Sequence, residues 1–204
     1  MNAALPQEMQ QHTYAIMDEV EGSHWWFVGR RAILEGFLRQ ILSRINGKRE
    51  KINILDVGCG TGANIEMLSQ FGSAEGVDVS DDALEFCRQK GLKVQKGLAE
   101  ALPFGDETFD LTTALDVIEH LDDDVAGLRE MFRVTKSGGY SLFFVPAFMW
   151  LWSYNDEINA HQRRYTVSEL EQKLALSGLR VRRISYNNFF LFPAVAGVRV
   201  LRPY

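Results

Sequence analysis

The spacing of apolar residues changes period several times along the chain, and the changes mark out its elements. Ile33, Leu34, Phe37, Leu38, Ile41, Leu42 and Ile45 recur at helical spacing, which predicts a core-facing helix ended by Asn46-Gly47. Ahead of it, Gln7 to Val20 reads as a shorter helix with Met9, Tyr14, Ile16, Met17 and Val20 partly buried. From Ile52 on, short β-branched runs alternate with helical patterns. Ile52–Val57, Ala74–Val79, Gly91–Lys96, Phe109–Leu115 and Ser141–Val145 read as strands, and Leu179–Tyr186 alternates as one more. Ala63–Phe71, Ser80–Lys90, Asp122–Thr135 and Val167–Leu176 read as helices.

Capping residues sharpen several starts. Ser80 caps the second of these helices, Thr166 and Glu169 form a capping box, and the Asp122–Asp124 cluster suits a helix N-terminus rather than a metal. Thr61 is placed to cap the helix after the first strand. Strands alternating with helices predict an α/β, doubly wound, mostly parallel sheet.

Length and composition narrow the setting. The 204 residues suit one domain with a sizeable core. The net charge of −5 gives no general affinity for nucleic-acid backbone, so no nucleic-acid partner is expected. Only two cysteines are present, Cys59 between glycines and Cys87 in a helical stretch, so no disulfide is expected and a reduced, cytoplasmic setting fits. The N-terminus lacks a basic region followed by an apolar run, and no run approaches the ~18 apolar residues that span a bilayer.

The candidate chemistry centres on Asp56-Val-Gly-Cys-Gly-Thr-Gly62. A glycine turn between a strand and a helix is a binding site in a doubly wound sheet. A dinucleotide site uses G-x-G-x-x-G, with phosphate on the helix end. Here the spacing is G-x-G-x-G, and Asp56 would repel a pyrophosphate but suit a cation. Asp78 ends the next strand at about the 20-residue interval at which an acid grips ribose hydroxyls. A cationic, phosphate-free nucleoside fits these features.

With Gly76-Val-Asp78, Ala99-Glu-Ala-Leu-Pro-Phe104, Phe109-Asp110 and Ser137-Gly-Gly139, this turn resembles the ordered motifs of class I S-adenosylmethionine-dependent methyltransferases, across roughly residues 50–146. The resemblance implies a Rossmann-like methyltransferase sheet under an N-terminal helical lid, divided as residues 1–47, 48–146 and 147–204 of a single domain. It implies S-adenosylmethionine as cofactor. Asp56, Gly58, Cys59, Gly60 and Gly62 would hold its amino-acid part, Asp78 and Val79 the ribose, Leu98, Ala99 and Glu100 the adenine, and Leu115 and Asp116 would lie near the sulfonium. Two departures stand out. Many relatives have aspartate at Leu98, bonded to adenine; here apolar contact and backbone must serve. The family's final antiparallel strand is uncertain or missing unless Val198–Leu201 supplies it, so the chain is either truncated or without it. Either case leaves a sheet edge that invites a homodimer.

Acceptor chemistry is read from three stretches. Asp116, Glu119 and His120 would share one face if helical, with His120 as general base, as a packing residue, or as part of a divalent-metal pattern like that of some quinone-pathway methyltransferases. No metal is expected. His24-Trp-Trp-Phe-Val-Gly-Arg-Arg31 either packs over the sheet or lids the site, with Trp26 and Arg30 facing it. After Pro146, Trp150, Trp152, His161, Arg164 and Tyr165 suit a pocket for a small-molecule or lipid-like acceptor, Arg163 and Arg164 clamping an anion or pairing with Asp156 and Glu157. From Gly178 onward there are five arginines and no acids in an apolar tail, expected to be a buried helix starting at Pro193 rather than a peripheral membrane contact. The expected reaction is in-line methyl transfer. The alternatives are a non-catalytic S-adenosylmethionine-binding module and a nucleotide-binding oxidoreductase.

Overall fold

The structure, a computed structural model, describes residues 11–45 and 52–201. Five strands form one sheet in the order β3-β2-β1-β4-β5, with β1 Asn53–Val57, β2 Ser73–Asp78, β3 Val94–Lys96, β4 Phe109–Leu115 and β5 Thr135–Phe144. Every pairing is parallel. Helices α1 Gln11–Glu21, α2 Trp25–Ile45, α3 Ala63–Leu68, α4 Asp81–Gln89 and α5 Asp124–Val134 flank it, followed by α6 Tyr154–Ile158, α7 Val167–Leu176 and α8 Phe192–Leu201. The doubly wound α/β architecture and the N-terminal helices are as expected.

Burial explains the register. All seven residues of β4 are buried, as in a central strand covered on both faces. Leu55, Val57, Val77 and Ala114 face one core layer with Leu128 and Met131 of α5. Ile54 and Leu111 face the other, with Leu34, Leu38 and Leu42 of α2. The helical stripe of residues 33–45 therefore packs as predicted, except that Ile33 is exposed, and the helix begins eight residues earlier, at Trp25. In α1, Tyr14 is buried but Ile16 is exposed. The expected Gln7 helix start with Met9, and the Asn46-Gly47 stop, lie outside the described residues.

Local corrections follow from specific contacts. Thr61 does not cap α3. Gly62 occupies that position at φ +93°, and the Thr61 hydroxyl turns to Glu21. Ser80, Asp123 and Thr166 do cap their helices, the last in a capping box with Glu169. β5 starts at Thr135, six residues early, because Ser137-Gly-Gly139 is absorbed as a register shift opposite Phe109/Leu111 rather than as a turn. Gly139 lies so close to the Asp110 carbonyl that a Cβ there would approach it to 2.8 Å.

Beyond β5 two expectations fail, the strand at Leu179–Tyr186 and the burial of the apolar tail. Leu179–Tyr186 is irregular, since no strand edge receives it. Val198–Leu201 belongs to α8, so it supplies no antiparallel strand, and none occurs among the described residues. The apolar tail is largely exposed rather than buried, Phe190 at 93%.

Candidate functional site

The chain order of the sheet reverses between β1 and β4, and the cleft opens there, beyond the carboxyl ends of the strands. The turn after β1 is fastened to β2. Gly58 and Cys59 N–H groups both donate to the Val77 carbonyl, at 2.8 and 3.1 Å. Gly60 N–H donates to Asp78 Oδ2 at 2.9 Å, and Ser80 N–H to Asp78 Oδ1 at 3.0 Å. Glycine is required at two points here. Gly58 has φ +66° and its Cβ would strike Val117 at 2.5 Å, while Gly60, at φ +53°, faces open space where a ligand can lie against the backbone. Gly62 does not border the cleft; it packs against Leu92 and Cys87. Both cysteines are buried and free, as expected.

Asp56 is buried near the end of β1, just ahead of this turn, and does not itself border the cleft. The Thr113 hydroxyl donates to its Oδ1 at 2.6 Å, while Oδ2 has no partner among the described residues. Burial pushes its carboxyl up to about 7, against the pull of Thr113 and Arg30. A buried acceptor oxygen with nothing bound to it is costly unless a cationic ligand completes it. Burial also raises Asp78. Val79, Leu98, Ala99 and Glu100 line the same cleft, as do Cys59 and Leu115. Burial raises the carboxyl of Glu100, near Asp122 and Asp123.

Helix α2 closes one side. Trp26, Phe27 and Arg30 line the cleft, and the buried Arg30 guanidinium pairs with Asp116 while lying over the rings of Phe27 and Phe144. Asp116 sits at φ +59°, just ahead of a single 3₁₀ turn, Ile118–His120. Asp116, Glu119 and His120 consequently do not share one helical face. Glu119 turns inward, with no exposed surface and both carboxylate oxygens without a partner among the described residues. Burial and the nearby Asp116 hold its carboxyl well above the usual range.

The segment after β5 brings a second histidine to the first. Phe148 N–H donates to the Tyr165 carbonyl, and Tyr165 N–H to that of Pro146, so residues 147–165 fold back on themselves. Gln162 then bonds across to the 3₁₀ turn, its N–H to the Glu119 carbonyl at 2.9 Å and its side-chain amide to that of His120 at 2.8 Å. His161 is thereby set edge to face on His120, with ring centroids 4.7 Å apart. Burial first, then His161, pulls His120 down to about 4. His161 Nδ1 lies 3.0 Å from Asp156 Oδ1. Glu119, His120 and His161 hold one donor atom each within 4.8 Å of the others, a spacing a divalent cation could also span.

Asp156, one of the two acids the sequence offered as alternative partners for Arg163 and Arg164, is the hub of this segment. Arg164 grips it through two nitrogens, at 2.7 and 3.0 Å, and Ser153 caps it from the backbone at 2.8 Å. These partners hold its carboxyl down at about 2 against its burial. Arg164 is thus committed to Asp156, and Arg163 to Asp124 at 3.1 Å. Neither arrangement is an open anion clamp. Tyr165 is a core residue whose hydroxyl donates to Asp124 at 2.9 Å. Trp150 and Trp152 stand outside the cleft; Trp150 packs edge to face on Phe192, while Phe148 and Leu151 face inward. Thr113 and Glu21 were missed. A polar residue in a fully buried strand was a signal for Thr113; nothing local marked Glu21.

A methyltransferase-domain family matches residues 55–143. The chain is similar to a ubiquinone biosynthesis O-methyltransferase of Alkalilimnicola ehrlichii, 33% identical over 52% of this chain and 45% of that one. It is likewise similar to a demethylmenaquinone methyltransferase of Chlorobaculum parvum, 32% identical over 50% and 44%. The match thus spans less than half the length of these relatives. Among solved structures it resembles a SAM-dependent methyltransferase of Thermotoga maritima, described as a possible histamine N-methyltransferase, at TM-score 0.58 and 27% identity, covering 83% of this chain and 82% of that one.

Proposed function

The chain carries a class I S-adenosylmethionine-dependent methyltransferase domain, and on that premise we propose that it moves a methyl group from S-adenosylmethionine to a hydroxyl of a lipid-like small molecule. The observation that carries the donor site is Asp56 Oδ2, a buried acceptor with no partner among the described residues, on the strand that runs into the open backbone at Gly60. The cofactor supplies a methyl group on a sulfonium, activated for displacement. Asp56 and the Gly58–Gly60 backbone would hold its amino-acid end. Asp78 keeps lone pairs for ribose hydroxyls beyond the two it gives to Gly60 and Ser80. Leu98, Ala99 and Glu100 would flank the adenine, and Leu115 and Asp116 the reacting centre.

The acceptor side is assigned by chemistry. Trp26, Phe27, Phe144 and Phe148 give apolar walls. His161 presents Nδ1 to Asp156, so its Nε2 is left to take the hydroxyl proton. His120, pulled to about 4, is neutral near pH 7 and leaves that proton transfer unopposed by charge. This moves the base from His120, the expectation from sequence, to its partner. The O-methyl reading follows the similarity to the ubiquinone biosynthesis O-methyltransferase. Helices α1 and α2 act as the lid, aligning reactants and excluding water.

The test is incubation with donor labelled in its methyl group and a catechol bearing an isoprenoid tail. A labelled methyl ether together with adenosylhomocysteine is expected. Adenosylhomocysteine binding without transfer to any hydroxylated acceptor would leave only a binding module, and tight NAD binding in its place would point to an oxidoreductase.

A further inference from the structure

Helix α8 carries its faces reversed relative to a helix packed on a core. Phe192, Ala196 and Arg199, spaced i, i+4, i+7, turn toward the protein. The Phe192 ring lies 5.8 Å from Phe148, and Arg199 donates to the Leu151 carbonyl at 2.9 Å. Leu191, Val195 and Val198 have the same spacing on the outer face, and are 44%, 44% and 60% exposed. Phe189 and Phe190 stand just ahead at 77% and 93%. Contiguous apolar surface of this kind marks a contact in monomeric proteins.

Charge decides what the contact is. The whole chain carries an excess of acids, 27 against 22 basic residues, yet the sequence from Gly178 on has five arginines and no acid. Arg180, Arg182 and Arg183 are exposed in the segment that leads into this helix, Arg183 lying over the Phe37 ring of α2. A second copy would bring the same arginines against one another, which like-charge repulsion disfavours. An anionic bilayer meets both features, taking aromatic side chains at the headgroup–acyl boundary and arginines at lipid phosphates. No helix among the described residues is long and apolar enough to cross a membrane, so the contact is with the surface. The apolar face is continuous with the cleft, which Phe192 and Val195 also line.

We propose that the outer face of α8, with Phe189 and Phe190, docks this protein on an anionic lipid bilayer. Only the consequence, direct entry of a lipid-like acceptor from the membrane, rests on the proposed function. Docking is read without any turnover, so its failure and the failure of methyl transfer are separate results.

The experiment is co-sedimentation with vesicles of phosphatidylglycerol and phosphatidylcholine, and with vesicles of phosphatidylcholine alone. The protein is expected to pellet with the anionic vesicles and to be released by high salt. The double variant Phe190→Ser/Val198→Ser should lose at least tenfold in vesicle affinity, with an unchanged melting temperature because both side chains are exposed. No pelleting with anionic vesicles, equal pelleting with neutral ones, or an unaffected variant overturns docking. So does a salt-resistant dimer that the same variant dissolves in the absence of vesicle binding.

Discussion

The hydroxyl of Thr61 donates to the carboxylate of Glu21 at 2.7 Å, joining the end of the N-terminal helix α1 to the glycine turn. Both residues are buried. Lys90 adds to the seam by pairing with Asp18 of α1 and donating to the Thr61 carbonyl at 3.0 Å. Helix α1 and the glycine turn are therefore one mechanical unit. Glu21→Ala leaves a buried hydroxyl without its acceptor, at a cost of about 1–3 kcal/mol. Chemical denaturation should show that loss, and calorimetry with adenosylhomocysteine should show weaker binding. Unchanged values on both would separate the lid from the turn.

Donor binding should depend on pH through Asp56. Its carboxyl lies at about 7 in the free protein; in the proposed complex it would be ionised against the donor's ammonium group, so binding would release a proton below pH 7. Affinity then falls as pH drops below 7, by up to about tenfold per unit, and is flat above it. Asp56→Asn should flatten the curve. The folded value lies above the unfolded one, so this group's stability contribution is full below about pH 4 and is lost as pH rises toward 7. Denaturation midpoints of Asp56→Asn across that window check the sign.

Asp78→Ala removes the acceptor for two backbone N–H groups as well as the proposed ribose contact. Donor affinity should drop at least about tenfold, or about 1.4 kcal/mol. Asp78→Asn retains one acceptor oxygen and should lose less. Isothermal titration of both variants orders them, and equal affinities would remove Asp78 from the site.

Asp156 joins stability to the proposed proton transfer. It is buried with Arg164, His161 and Ser153 on it, so Asp156→Ala leaves a charge unpaired, at about 3–5 kcal/mol. Its carboxyl is held at about 2, so its contribution is present above about pH 4 and is lost as pH falls through 2. Acid denaturation of the wild type and of Asp156→Asn tests this.

The two histidines are separated by rate. His161→Ala should lower the rate at pH 7 by about 10²–10⁴-fold, and His120→Ala should keep most of it. The reverse would restore His120 as the base. A chelator should leave the rate unchanged; loss of activity restored by a divalent cation would make Glu119, His120 and His161 a metal site.

Local pattern was enough to reveal the sheet. The run Ile52–Val57, the glycine spacing, the interval to Asp78 and the stripe Leu34–Leu38–Leu42 each report contacts between residues close in the chain, or a periodicity that one buried face imposes. Those signals located the strands and the glycine turn that follows the first of them. They also identified the Thr166 capping box, which is complete within four residues.

Partners far apart in the chain were settled only by the tertiary structure. Thr61 is an equally good cap or donor until Glu21 arrives from forty residues away. Arg164 reads as an anion clamp or as a partner of Asp156 until the short helix α6 presents Asp156 to it. His120 stays open between base, packing residue and metal ligand in the sequence, and nothing there shows that Gln162 fastens His161 beside it. The Leu179–Tyr186 alternation predicts a strand, but a strand exists only where another edge takes its hydrogen bonds. Sequence pattern encodes which face a residue turns; what waits on that face is decided by the packing of segments that carry no record of one another.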